Sequence, residues 1–197
     1  MKKILFLTAI LFTALSFTSC EKSRNGGSLT IDAKVENGHY LNNSVDEVRA
    51  MWSEIMIASA PFENGGFKIT LPEEIDERTL RPITLYFEWE ISNGIKISNE
   101  NVEMTRISYF KAYKNNEYID ADFSFYGRSK TKYGSVSFIY VDTDVKITGS
   151  FKNNGNTFEY DLDLKKGWNT AYQTGGGMTT KKPNIDFKWH FDYNSYE

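Results

Sequence analysis

The segment 158–164, Phe-Glu-Tyr-Asp-Leu-Asp-Leu, alternates ring or aliphatic side chains with charged ones without a break. Only an extended strand sends successive side chains to opposite faces, so a period of two commits such a segment to a half-buried β-strand. The same period recurs along most of the chain. Leu29, Ile31, Ala33 and Val35 alternate with Thr30, Asp32 and Lys34. Val48, Ala50 and Trp52 mark one face of a second strand, and Phe67, Ile69 and Leu71 one face of another. Ile55 to Ala60 is apolar on both faces, which predicts a central strand ended by Pro61. Ile83, Leu85, Phe87, Trp89 and Ile91 alternate with Thr84, Tyr86, Glu88 and Glu90, predicting one long strand with a heavy buried face.

The second half repeats the theme. Arg106–Tyr113 reads as one strand. Ile119, Ala121, Phe123 and Phe125 mark a face of the next, followed by Val136, Phe138 and Tyr140, then Val145, Ile147, Gly149 and Phe151. Trp168–Tyr172 resumes after Gly167, and Ile185, Phe187, Trp189, Phe191 and Tyr193 close the chain on an inward face. Asn64-Gly65-Gly66, Asn93-Gly94, Asn115-Asn116 and Asn153-Asn-Gly155 punctuate these runs as turns. Gly175–Gly177 with Thr179–Pro183 reads as a surface loop, and Glu73–Arg78 as the one helical turn. The pattern predicts an all-β body with little helix, an antiparallel β-sandwich or barrel of about ten short strands. The absence of βαβ alternation argues against a parallel sheet.

The first twenty residues belong to a different category. Lys2 and Lys3 precede an uncharged apolar run, Ile4–Phe17, too short for a membrane span of about 20 residues but matched to a secretory signal. It ends in Phe17-Thr18-Ser19-Cys20, which resembles a bacterial lipobox, with Phe17 where leucine is commonest. That resemblance implies removal of residues 1–19 as a signal peptide, a diacylglyceryl group on the Cys20 sulfur, and acyl chains such as palmitate holding the protein to a membrane. Two or more chains anchor stably, at about 0.8 kcal/mol per buried methylene. Residues 20–28 then form the lipidated cysteine and a polar, glycine-containing tether. Residues 29–197 form the body, which is either one module or two with a boundary near 92–103. The expected location is the cell envelope, at the outer membrane. Lys22 and Arg24 interrupt the acidic start at Glu21, which leaves periplasmic and surface-facing orientations both open.

Charge narrows the partners. Loss of Lys2 and Lys3 with the signal leaves 21 basic against 26 acidic residues, a formal balance of −5. Nucleic acid requires a basic face to replace counterions, so it is not an expected partner. Cys20 is the only cysteine, and once lipidated it leaves no thiol for a disulfide.

Two groups of residues carry a resemblance. Val45-Asp-Glu-Val48, Ile57-Ala-Ser-Ala-Pro-Phe62 and Gly65–Pro72 resemble the first half of uncharacterised lipoproteins from Bacteroidota. Tyr140–Asp144, Ile147-Thr-Gly149 and Leu164-Lys-Lys-Gly-Trp-Asn169 resemble their second half. The resemblance implies a β-sandwich of the immunoglobulin or transthyretin-like kind. It supplies no catalytic residues, because its motifs are turn and core positions.

Groups that carry chemistry are few. His39 and His190 have no zinc-binding spacing, and His190 falls on the outward face of the last strand. No nucleophile elbow, phosphate loop or dinucleotide fingerprint occurs. The sequence therefore points to no metal, no cofactor and no catalytic residue. Three acidic pairs, Asp120/Asp122, Asp142/Asp144 and Asp161/Asp163, have the spacing that places two carboxylates on one strand face. They are the basis for a hydrolase reading, the least favoured of three. Aromatics are the stronger lead, with 12 Tyr and 14 Phe. Trp52, Trp89, Trp168 and Trp189 fall on inward faces. Tyr86, Tyr118 and Tyr126 fall on polar faces, where rings stack on sugars or anchor a partner. The expectation is a membrane-anchored protein, not an enzyme, that binds a glycan or an envelope protein. The alternative is a structural subunit of a surface appendage or lipoprotein complex that accepts a strand at an exposed sheet edge.

Overall fold

The computed structural model of the chain describes residues 27–129 and 132–193, so Cys20 and its lipobox lie outside the described residues. The opening alternation forms β1 (Leu29–Lys34), with Leu29, Ile31 and Ala33 buried. A 3-10 turn at Gly38–Leu41 leads into β2 (Glu47–Trp52). The following strand, β3 (Ile55–Glu63), continues through Pro61 instead of ending there. Its pairing with β4 (Gly66–Leu71) begins only at Phe62, so the N–H that proline lacks would have faced an unpaired edge. Asn64 and Gly65 both take positive φ, 53° and 74°, as the expected two-residue hairpin requires.

The stretch after Pro72 departs most from expectation. The helical turn forms at Glu77–Thr79, later than Glu73–Arg78, because Asp76 caps it by accepting the Arg78 N–H. After β5 (Arg81–Pro82), residues 83–91 are not a strand but two short helices, α1 (Ile83–Tyr86) and α2 (Glu88–Ser92). Ile83, Phe87 and Ile91 are spaced by four, which fits a helix as well as it fits alternate strand positions. The positions between them separate the two readings: Leu85 is 62% and Trp89 50% exposed, where a strand would bury both. The Ser92 hydroxyl and Asn93 amide donate to the carbonyls of Glu88 and Trp89, and Gly94 at φ 101° ends the helix.

The remaining elements are β6 (Lys96–Ile97), β7 (Glu103–Ile107), β8 (Tyr109–Lys114), β9 (Glu117–Arg128), β10 (Tyr133–Val141), β11 (Val145–Asn153), β12 (Asn156–Leu164), β13 (Gly167–Thr174), β14 (Gly177–Thr179) and β15 (Phe187–Tyr193). The single strand expected over Arg106–Tyr113 breaks at Ser108, where the chain changes neighbours: β7 pairs β10, and β8 pairs β2 and β9. The glycine loop is partly strand, since β14 pairs parallel with β12 and antiparallel with β13. Gly177 permits that approach; a Cβ there would lie 1.8 Å from the Glu159 carbonyl oxygen. The described residues thus form fifteen strands, more than the ten expected, an all-β arrangement with two short helices.

The strands form a continuous sheet in the order β1-β4-β3-β2-β8-β9-β10-β13-β14-β12-β11-β6, with β15 beside β9 and β7 beside β10. A single parallel bridge between Val35 and Trp189 brings β15 back against β1. Two apolar cores result. The first lies between the β1–β9 arm and β15 and holds Ile31, Phe67, Phe110, Phe123 and Trp189, with the Trp189 ring 4.8 Å from Phe125 and 5.2 Å from Phe67. The second lies between β11, β12, β14 and the two helices, and holds Ile83, Phe87, Ile147, Leu162 and Met178. The cores share strands. On β10, Val136, Phe138 and Tyr140 face the first while Ile139 and Val141 face the second. On β7, Ile107 and Met104 divide in the same way.

Candidate functional site

The face of β7, β10 and β13 that serves the second core changes character along its length. Met104, Ile139, Val141 and Ala171 are buried in that core. One register step further, the same face carries Arg106, Ser108, Ser137 and Gln173. The Arg106 Nε–H is shared between the hydroxyls of Ser108 and Ser137, each at 3.1 Å, and Nη2 donates to Gln173 Oε1 at 3.0 Å. Arg106 is half-buried, whereas Ser108 and Gln173 are exposed, so the group opens to solvent between them.

The helices complete the site. Tyr86 on α1 and Glu90 on α2 lie near enough to Arg106 to act on its charge, as does Tyr160 on β12. The Tyr160 hydroxyl donates to Glu90 Oε1 at 3.0 Å. From the other side Trp52, at the end of β2, donates its indole N–H to the Tyr86 hydroxyl at 3.4 Å, and the Arg81 guanidinium lies 4.3 Å over the Trp52 ring. A seam therefore runs between β2 and the helices, with Trp52, Tyr86 and Arg81 in contact along it and Arg106 close to Tyr86. Burial lowers the Arg106 pKa from its ordinary value, an effect opposed by Tyr160, Glu90 and Tyr86. Burial first, and then the Glu90 charge, push the Tyr160 hydroxyl well above the usual phenol range.

The structure places the three tyrosines named from sequence on two different elements, α1 and β9. Tyr86 is on a helix, not on a strand's polar face, and belongs to the seam. The Tyr118 hydroxyl donates to Asp122 at 3.2 Å; its ring lies 4.9 Å from the Lys111 ammonium and 5.8 Å from Tyr113, which carries Arg49 over its own ring. Tyr126 stacks on His190 at 3.9 Å, so His190 is a packed strand residue and not a solvated one; burial and then Asp192 raise the Tyr126 pKa. Of the four tryptophans placed inward, Trp168 and Trp189 are buried, Trp52 is half-buried and Trp89 stands on the helix surface against Phe151.

The acidic pairs serve local structure. Asp142 accepts the Glu103 N–H, and Asp144 accepts the Lys166 N–H and pairs with Lys165. Asp163 also pairs with Lys165, Asp161 with Lys181, and Asp120 sits at φ 56° in a bulge. Among the described residues no three His, Cys, Asp or Glu side chains group as metal ligands. A second surface feature is a groove of about 1030 Å³ between β1 and β15, floored by Phe67, Phe125, Phe187 and Trp189 and rimmed by Asp32, Lys34, Asp186 and Lys188.

Sequence reasoning missed Arg106. The available signal was a charge on the same strand face as Met104, inside a segment whose alternation otherwise fits a buried sheet. Comparison of the chain with protein-family models, curated proteins and solved structures gives no match.

Proposed function

We propose that this chain is a lipid-anchored cell-envelope protein, of the kind resembling the Bacteroidota lipoproteins, whose body binds a glycan at the seam. Its strands are taken as a sandwich of the immunoglobulin or transthyretin-like kind, held to the outer membrane through Cys20 and performing no catalysis. The observation that carries the reading is the contact of Trp52 with Tyr86, beside Arg106 with its neighbours Tyr160 and Gln173. Rings supply flat apolar contact for sugar faces, and a few convergent polar groups supply hydroxyl recognition. A glycan array probed with the full chain, followed by calorimetry on Trp52→Ala and Tyr86→Ala, tests it. The expected result is a bound glycan whose affinity falls at least tenfold in either variant. Binding that neither substitution weakens would refute the seam as the site.

The groove between β1 and β15 favours a second reading, in which the protein is an assembly subunit. Among the described residues β1 pairs only with β4 between Leu29 and Lys34, so its other edge offers backbone groups to an added strand. Cross-linking between cysteines introduced at Asp32 and Lys188 and a co-purified envelope protein would support it. A strictly monomeric protein that takes up no partner strand removes its basis.

A further inference from the structure

We infer that the glycan held at the seam is an acidic one, and that Arg106 receives its anionic group, a carboxylate or a sulfate ester. The inference rests on the glycan reading and concerns the same site. It starts from how the guanidinium is satisfied. Ser108, Ser137 and Gln173 are neutral acceptors, and together they occupy the Nε–H and one Nη2 proton. Among the described residues no carboxylate pairs with Arg106, and its hydrogen bonds to protein run from Nε and Nη2. Seven other cations are engaged differently. Arg49, Arg78, Lys114, Lys165, Lys181 and Lys188 each pair with a carboxylate, and Arg81 stacks on Trp52.

The nearest acid on the helices, Glu90, is engaged by the Tyr160 hydroxyl. The three neutral partners fix the guanidinium through Nε and one edge of Nη2. The Nη1 side of the fork is left to a ligand. A planar fork pre-oriented in this way matches two oxygens of a carboxylate or sulfate better than it matches sugar hydroxyls. Glu90 acts on the Arg106 charge without pairing with it; a charged guanidinium partly removed from water is costly without a counter-ion in contact, and an anionic ligand supplies one on binding. The net negative charge of the chain provides no general attraction for anions, so selectivity for an acidic sugar must come from a local group such as this.

The test uses the full chain and three probes: an oligogalacturonate, a sulfated galactan oligosaccharide, and a neutral galactan oligosaccharide of equal length. Binding is measured by calorimetry at two salt concentrations for wild type, Arg106→Gln and Arg106→Lys. At least one acidic probe is expected to bind ten-fold or more tighter than the neutral one, more weakly at high salt. The carboxylate and sulfate arms identify which anion is preferred. Arg106→Gln should bring the acidic probe down to the level of the neutral one, the ratio of the two affinities within the same variant being the readout. Arg106→Lys, which keeps the charge and loses the fork, should fall between. Equal binding of acidic and neutral probes by wild type, or a preference that survives Arg106→Gln, overturns the anionic assignment and leaves the glycan reading standing. If no sugar binds, the glycan reading fails and the assignment fails with it. If Arg106→Gln melts well below wild type, Arg106→Lys decides the matter, since a mere brace between β7, β10 and β13 would leave the acidic preference intact.

Discussion

Adjacent residues on β10 serve different cores, and this makes cooperativity testable with two substitutions. Phe138 is 1% exposed and packs 5.8 Å from Phe110 and 6.3 Å from Trp189 in the first core. Ile139 is fully buried in the second. Phe138→Ala should cost about 3–5 kcal/mol, and Ile139→Ala about 2–5 kcal/mol, from lost contacts and the cavities left behind. For a body of this size each kcal/mol corresponds to about 2–4 °C in Tm, so Phe138→Ala should melt roughly 12 °C below wild type. The cores share β7, β10 and β13, so loss of either should unravel the ladder that supports the other. Near-ultraviolet circular dichroism, dominated by buried Trp168 and Trp189, reports the first core; hydrogen exchange in β11 and β12 reports the second. Both probes should move together in both variants. If Ile139→Ala released β11 and β12 while the tryptophan signal held its wild-type midpoint, the cores would be independent and the shared-strand argument wrong.

Two further perturbations follow from the charges and the anchor. Arg78 holds the Asp76 carboxyl down to about 2, through side-chain and then backbone hydrogen bonds, from an ordinary 3.8. A carboxyl depressed on folding contributes stability above its unfolded pKa and loses it as pH falls through the folded one, so the wild-type advantage over Asp76→Asn should be full at pH 6 and vanish toward pH 2. Thermal melts at both pH values check this, and a gap independent of pH would contradict it. Cys20→Ala should abolish incorporation of labelled palmitate and release the protein from the membrane pellet; continued labelling would exclude the lipobox.

Much of the fold is legible in the sequence because alternation and turn chemistry agree. β1, β4, β11 and β12 follow their apolar positions, and the Asn64-Gly65 and Asn115-Asn116 turns take the positive φ values their residues favour. The failure at 83–91 has a physical cause: a spacing of four belongs to both periods, and aromatic and β-branched residues favour strand locally, so packing against the second core decided for helix. Gly177 was misread because a glycine run permits both a loop and a close strand approach, and only the position of Glu159 distinguishes them. The site was less legible still. Tyr86 was singled out, but for a strand face it does not occupy, and its partners Trp52, Arg106 and Tyr160 lie on three strands distant in sequence.

The polar end of the shared strands is also an argument about selection. Ser137 is 1% exposed, and Arg106 follows Met104 on the same face, so apolar residues at both positions would extend the second core. If stability alone shaped this face, a guanidinium with neutral partners would be a poor choice, since exchanging a buried polar set for apolar groups of similar shape is nearly neutral or stabilising. The double variant Arg106→Leu, Ser137→Val should therefore melt at or above wild type by calorimetry while losing the bound glycan, the usual sign that a site is maintained against the preference of the fold. A marked fall in its Tm would instead make Arg106 a brace holding β7, β10 and β13 in register, and the seam would lose its claim to be the place where this protein meets its ligand.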